Sequence, residues 1–185
     1  RVSEENFRLF FEFNPNYCYM ISPEGTIMAV NRAALLQLGY EKEELIDSPI
    51  ETIYAPEVAE EMQQLFYEWH LSGGLTNRET TIITKSGEKR TVLLNVTTVR
   101  GENANILHSM AVQQDITELR RTQEELQYNL NLMTAVMNGT DDIIFLKDLA
   151  GRIVLTNQKG AYFLGHFRNE VLGKSTFELF KSEVA

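Results

Sequence analysis

The feature that most constrains this 185-residue chain is that part of it is written twice. Gly25-Thr26-Ile27 precedes Asn31, Leu38, Gly39 and Glu44, and Gly151-Arg152-Ile153 precedes Asn157, Leu164, Gly165 and Glu170, each pair 126 positions apart. The flanks agree in character: Tyr17 and Tyr19 with Ile143 and Phe145, Leu45 and Ile46 with Val171 and Leu172, Ile53 and Tyr54 with Leu179 and Phe180. Identities at one fixed offset signal a repeated supersecondary unit rather than two unrelated amphipathic segments. Residues 60–117 have no counterpart before Ala185. The expected organisation is one complete module over 1–117, a helical connector over 118–132 and the first half of a second module over 133–185. Arg1 in place of Met points to an excised fragment. Half an antiparallel sheet exposes an unpaired edge, so the second copy is not expected to fold alone.

Residues 3–12 read as a short helix, with Ser3 as cap and Phe7, Phe10 and Phe11 on one face. Tyr17–Ser22 and Thr26–Val30 read as strands about a Pro23-Glu24-Gly25 turn. Asn31 stands where an N-cap is wanted before Arg32–Leu38, and Gly39 where a C-cap is. Short helical turns follow at 41–46 and 50–54. The longest helix of the module spans 57–71, with Val58, Met62, Leu65, Phe66 and Trp69 on one stripe. Residues 78–84, 89–99 and 106–114 read as three strands, the first two joined by a Lys85-Ser86-Gly87-Glu88 turn. The class is α+β: a five-stranded antiparallel sheet covered on one face by helices.

Gly25 followed by Asn31, then Leu38-Gly39-Tyr40 and Glu43-Glu44-Leu45-Ile46, resembles a PAS domain of the sensory-box type. Gln114-Asp115-Ile116-Thr117-Glu118 is similar to the Asp-Ile-Thr ending that such domains place between the last strand and an outgoing helix. The resemblance covers 3–117 completely and 133–185 as a truncated second PAS domain. It implies a sensory and signal-transduction module, as in bacterial or archaeal sensor histidine kinases of two-component systems, with a cyclic-dinucleotide enzyme as an alternative output. A ligand-free dimerisation or protein-interaction module is the rival reading. The resemblance makes Asp115, Ile116 and Thr117 the signal-relay residues.

The connector carries its own signal. Ile116, Leu119, Gln123, Leu126, Leu130, Met133 and Met137 alternate in steps of three and four, a heptad seam with one polar member. A coiled coil between two copies, through Leu119, Leu126, Leu130 and Met133, and a helix docked on its own domain both fit this pattern. Asp115 and Thr117 can cap its start, with Glu118 placed for a capping box.

Chemistry is sparse. A charge of −9 argues against nucleic-acid binding and against anionic lipid. No run approaches the ~20 apolar residues of a membrane span, so no direct membrane contact is expected, and no signal peptide is visible. The single cysteine, Cys18, excludes an internal disulfide and a multi-cysteine zinc site and fits a reducing, cytoplasmic compartment. No phosphate loop or nucleophile elbow is present. His70, His108 and His166 show no metal spacing, so neither catalytic nor metal residues are assigned. By the resemblance, a light-sensing flavin site would need a cysteine in the helix at 50–54 and a haem site an axial histidine. Residues 50–54 (IETIY) lack cysteine, and His70 stands at a helix end. Haem and flavin are therefore both disfavoured, and the cofactor is left unassigned. The expected ligand pocket is an apolar hollow between sheet and helices, with Tyr19, Met28, Leu36, Phe66, Asn95 and Met110 as candidate linings. Asn95 is the polar member, unless its side chain points outward.

Overall fold

A computed structural model describes residues 2–101 and 105–181, excluding the side chains of Val2, Ser3 and Lys181. The proposed cap at Ser3 and the tip of the turn after Gly101 lie outside the described atoms. The chain divides into two compact units, 1–121 and 122–185.

In the first unit, α1 (Val2–Glu12) leads into β1 (Tyr17–Ile21) and β2 (Ile27–Val30). The short helices α2 (Arg32–Leu38) and α3 (Lys42–Leu45) follow, then two 3-10 turns (Ile50–Ile53 and Pro56–Val58) and α4 (Ala59–Ser72). Strands β3 (Gly74–Ile83), β4 (Lys89–Arg100) and β5 (Ile106–Asp115) complete a five-stranded sheet of order β2-β1-β5-β4-β3, antiparallel at every pairing. The crossover that seats β5 between β1 and β4 brings the start of the module beside its end.

Asn31 organises the corner where β2 becomes α2. It is fully buried, and its Oδ1 accepts the N–H of Cys18 (3.0 Å) and of Ala34 (3.2 Å). Its Nδ2 donates to the carbonyls of Asn14 (3.1 Å) and Asn16 (2.9 Å). The side chain thus caps α2 and also ties the segment after α1 to β1. Gly39 closes α2 at φ 76°, its N–H on the Leu35 carbonyl. Gly25 is constrained differently: at φ 89° a Cβ there would lie 2.4 Å from the Phe66 ring.

The core lies between the inner sheet face and α2–α4, centred on Tyr19, Ile27, Leu38, Leu45, Ile53, Ile82 and Val92. Two expectations are corrected. Strand β3 starts at Gly74, four residues before its expected start. Gly74 and Leu75 pair with Thr97 and Val96, and a bulge before Arg78 breaks the alternation that a sequence reading relies on. Among the described side chains of α1 only Phe11 is buried, while Phe10 is 72% exposed, because it lies roughly a quarter-turn round the helix from Phe11.

In the second unit, α5 (Thr117–Gly139), most of which belongs here, leads to β6 (Phe145–Lys147), β7 (Ile153–Thr156), α6 (Gln158–Phe163), α7 (Arg168–Val171) and α8 (Thr176–Lys181). Strands β6 and β7 form an antiparallel pair over a small core of Ile153, Ala161, Leu164, Val171 and Leu179. Asn157 repeats the Asn31 hub. Its Oδ1 accepts from Ile144 and Gly160, and its Nδ2 donates to the Met137 and Asp142 carbonyls.

Candidate functional site: a polar-edged interior and the strand-to-helix junction

Between α4 and the inner sheet face of the first unit lies a cavity of about 30 Å³, walled by Ile21, Tyr54, Met62, Phe66, Trp69 and Leu94, among others. It has room for a water-sized group. Polar pairs edge this interior. Trp69 Nε1 donates to Thr98 Oγ1 (2.8 Å) and Ser109 Oγ (3.0 Å), and Gln113 Nε2 donates to Tyr54 Oη (2.9 Å). Burial pushes both the Tyr54 and Tyr19 phenols well above the usual tyrosine value.

Of the six pocket candidates, Phe66 lines the cavity and Tyr19 is fully buried on the same inner face. The other four do not line it. Met28 is 49% exposed, because a bulge between Met20 and Ile21 turns it out of the β2 alternation. Leu36 is 69% exposed, since α2 faces inward through Ala34 and Leu38 instead. Asn95 stands on the outer face, where its Oδ1 accepts the Asn77 N–H (2.9 Å) and holds the β3 bulge. Met110 also points outward, because Ser109, Ala111 and Gln113 take the inner face of β5. Tyr54 and Gln113 are the interior groups the sequence reading missed. The alternation in 106–114 was visible, but both of its faces carry apolar residues, so it left the choice of face open. His70 lies exposed at the end of α4, with Nδ1 against the Phe66 carbonyl (2.8 Å) and Nε2 against that of Pro23 (3.1 Å). Among the described residues no group of three or more His, Cys, Asp or Glu is placed to hold a metal ion.

The second feature is the end of β5. Asp115 Oδ2 accepts from Tyr17 Oη (2.7 Å) and Arg90 Nη1 (3.0 Å), and its Oδ1 accepts the Thr117 N–H (2.9 Å) that opens α5. Thr117 Oγ1 accepts the Thr91 N–H, and the Ile116 N–H reaches the Thr91 carbonyl. Arg120, one turn on, pairs with Glu79 of β3, and Arg121 pairs with Glu118. Asp115, Ile116 and Thr117 therefore stitch β1, β4 and α5 together. Burial alone would raise the Asp115 carboxyl, but the bonds from Thr117, Tyr17 and Arg90 outweigh it and hold the group below its ordinary 3.8. Burial and the Asp115 carboxylate push the Tyr17 phenol up to about 12.

These directions set a pH window. A depressed carboxyl contributes stability above its unfolded value and loses it as pH falls through the lower folded one; a raised phenol contributes below the ordinary 10.0 and loses it towards about 12. The stability gap between the native chain and Asp115→Asn should be full at neutral pH and shrink in strong acid. Urea midpoints across pH check this, and a gap that widens in acid would contradict it.

Beyond the junction, the seam residues Leu119, Leu126, Leu130 and Met133 are 47–60% exposed, while Met137 is buried. Among the described residues no helix is long and apolar enough to cross a membrane.

A five-stranded antiparallel sheet roofed by short helices, with a polar-edged interior and a helix leaving through a capped acidic junction, is the architecture of a sensory domain. The family model for the PAS domain matches residues 15–118, and that for the PAS fold matches 131–184. The chain belongs to the PAS domain family. A curated relative, the probable diguanylate cyclase DgcE of Escherichia coli (strain K12), is 30% identical over 137 residues, covering 72% of this chain. The match spans only 12% of that protein's length. Among solved structures, the PAS domain of a Colwellia psychrerythraea protein superposes with a TM-score of 0.58 at 19% identity, covering 64% of this chain and 99% of that one. An RNA-binding light-oxygen-voltage receptor gives 0.60 at 14% identity, covering 70% and 37%. A domain of a sensory box sensor histidine kinase/response regulator from Geobacter sulfurreducens gives 0.50 at 18%, covering 61% and 94%. These three likenesses concern the fold.

Proposed function

We propose that this chain is the input segment of a multidomain cytoplasmic signalling protein. A ligand or partner acting on the first PAS domain (1–117) shifts the junction at Asp115–Thr117. The connector (118–132) passes that shift on to a second PAS domain, of which 133–185 form the N-terminal half. Two copies pair along α5, and the output is a histidine kinase. The observation that carries this reading is the exposed seam. Four apolar residues at heptad spacing lie open to solvent on a helix that begins inside a charged, hydrogen-bonded junction. To switch, the ligand must favour one of two states, since equal affinity for both shifts nothing.

A second output has a specific observation in its favour. The 30% identity to a probable diguanylate cyclase supports a cyclic-dinucleotide enzyme downstream.

A cysteine in place of Leu126 or Leu130 should give a symmetric disulfide cross-link under mild oxidation. The pairing is rejected if no such cross-link forms at any concentration. Leu126→Glu should weaken dimerisation about 100-fold or more, since a buried leucine contributes about 1.5–3 kcal/mol and each dimer loses two. Sedimentation equilibrium reads this directly.

A further inference from the structure

His70 faces two carbonyl oxygens at once. It stands in the last turn of α4, with Nδ1 2.8 Å from the Phe66 carbonyl and Nε2 3.1 Å from the Pro23 carbonyl in the β1–β2 turn. A carbonyl oxygen only accepts. A neutral imidazole carries one N–H and one lone pair, whereas the imidazolium carries two N–H groups. The charged ring therefore donates to both carbonyls, and either neutral tautomer sets a lone pair against one of them. The ring is rigid, so turning that nitrogen away moves the other nitrogen off its partner as well.

The ring sits among aromatic neighbours at a helix end. Its centroid is 4.4 Å from that of Trp69 and 5.7 Å from that of Phe66, on which it stacks. The charged groups around it are Glu68 on α4, Glu24 beside Pro23, and Arg100 of β4, whose guanidinium lies next to Gly73. Glu68 is paired with Arg78. Among the described residues the histidine that meets a carboxylate is His166, with Glu170, and not His70. The contacts that hold the His70 ring are thus the two carbonyls and the two aromatic rings. Its bond to Pro23 fastens the end of α4 to the turn. One helical turn earlier, Phe66 lies over Gly25 of the same turn, where a Cβ would come within 2.4 Å of its ring. Phe66 belongs to the wall of the interior cavity and also to that of a surface groove of about 450 Å³. Whatever loosens the end of α4 therefore loosens a side chain that separates the two.

We propose that His70 is a proton-sensitive latch between α4 and the β1–β2 turn. With its ring charged it fastens the two, and loss of the proton frees the end of α4 and the Phe66 ring above Gly25. The bond to Pro23 is present in mild acid and is lost as the ring gives up its proton, within the range of about pH 5 to 8 where histidine changes charge. The first PAS domain thereby responds to acidity as well as to a ligand or partner. The latch lies wholly inside the first unit, so it does not depend on the pairing of two copies along α5.

The test uses the full chain and reads solvent exchange of the Gly25 and Thr26 amides by NMR, each rate divided by that of an unstructured chain at the same pH. Both amides are bonded within the turn, to the Ser22 carbonyl and to Ser22 Oγ. In the native chain their protection should fall about threefold to tenfold between about pH 5.5 and about pH 8, one hydrogen bond's worth. The fall should follow the titration of the His70 ring, seen in its own 15N shifts. His70→Phe keeps a ring beside Phe66 and Trp69 but has nothing to donate, and His70→Gln donates equally at any pH. Protection in each variant should stay within about twofold across the range. These comparisons cancel whatever His108 and His166 contribute. Protection in the native chain that does not change with pH overturns the proposal. So does a fall that persists in either variant, or one that follows a group other than the His70 ring. A missing Leu126 cross-link would reject the pairing of copies and leave this result untouched, and a flat native profile would reject the latch and leave the pairing untouched.

Discussion

Asn31→Ala is expected to destabilise the first unit by about 3–5 kcal/mol, the largest single-residue effect we foresee outside the apolar core. The side chain is fully buried and uses its whole hydrogen-bonding capacity, accepting from Cys18 and Ala34 and donating to Asn14 and Asn16. Alanine removes an N-cap, worth about 1 kcal/mol, strands the buried Cys18 N–H at about 1–3 kcal/mol before relaxation, and takes the partner from the half-buried Asn14 and Asn16 carbonyls at a smaller cost each. Asn31→Asp keeps both acceptor roles but turns a carboxylate towards two carbonyls, so it should rescue less than half of the loss. Trp69, the single tryptophan, sits in the same core and reports this unit's unfolding by fluorescence. For a unit of this size the loss corresponds to a drop of about 10–20 °C in melting temperature. A loss below about 1 kcal/mol would mean that the four bonds do not act together.

Asp115→Ala is expected to cost about 2–3 kcal/mol and to loosen the first turn of α5. The carboxylate holds three donors from three elements: Tyr17 on β1, Arg90 on β4 and the Thr117 N–H at the helix start. Removing it leaves a guanidinium that is only 25% exposed facing a phenol, with Glu88 as its remaining partner. The partial exposure keeps the cost below that of a fully buried pair. Amide exchange in residues 117–121 should quicken more than in the centre of β4, because the change strikes the cap and spares the sheet. Equal acceleration at both places would show that Asp115 supports the domain as a whole and is not a specific tie to the helix. Asp115→Asn, which can still accept from Thr117, should fall between the two.

Much of the fold was legible because its signals are local. The Asn31 and Gly39 caps of α2, the Gly87 hairpin turn and the heptad steps of α5 each depend on a few neighbouring residues. The structure places the caps and the turn as expected. Asp115 and Thr117 were also found from the chain alone, through a short motif. The interior was read less well. Strands β4 and β5 carry apolar residues on both faces, so a period of two cannot say whether Asn95 and Met110 or Leu94 and Ala111 look inward. The run Leu35-Leu36 in a seven-residue helix leaves its buried face equally open.

The sequence by itself determined that a module is repeated, where its helices are capped and where its hairpins turn, because these follow from backbone preferences and periodicities over a few residues. Only the tertiary structure decided that Tyr17 meets Asp115 across 98 residues of chain, and that Tyr54 meets Gln113 across 59. Those meetings exist because β5 inserts between β1 and β4. Strand order is settled by the burial of the whole sheet against its helices, a collective balance that no local pattern records.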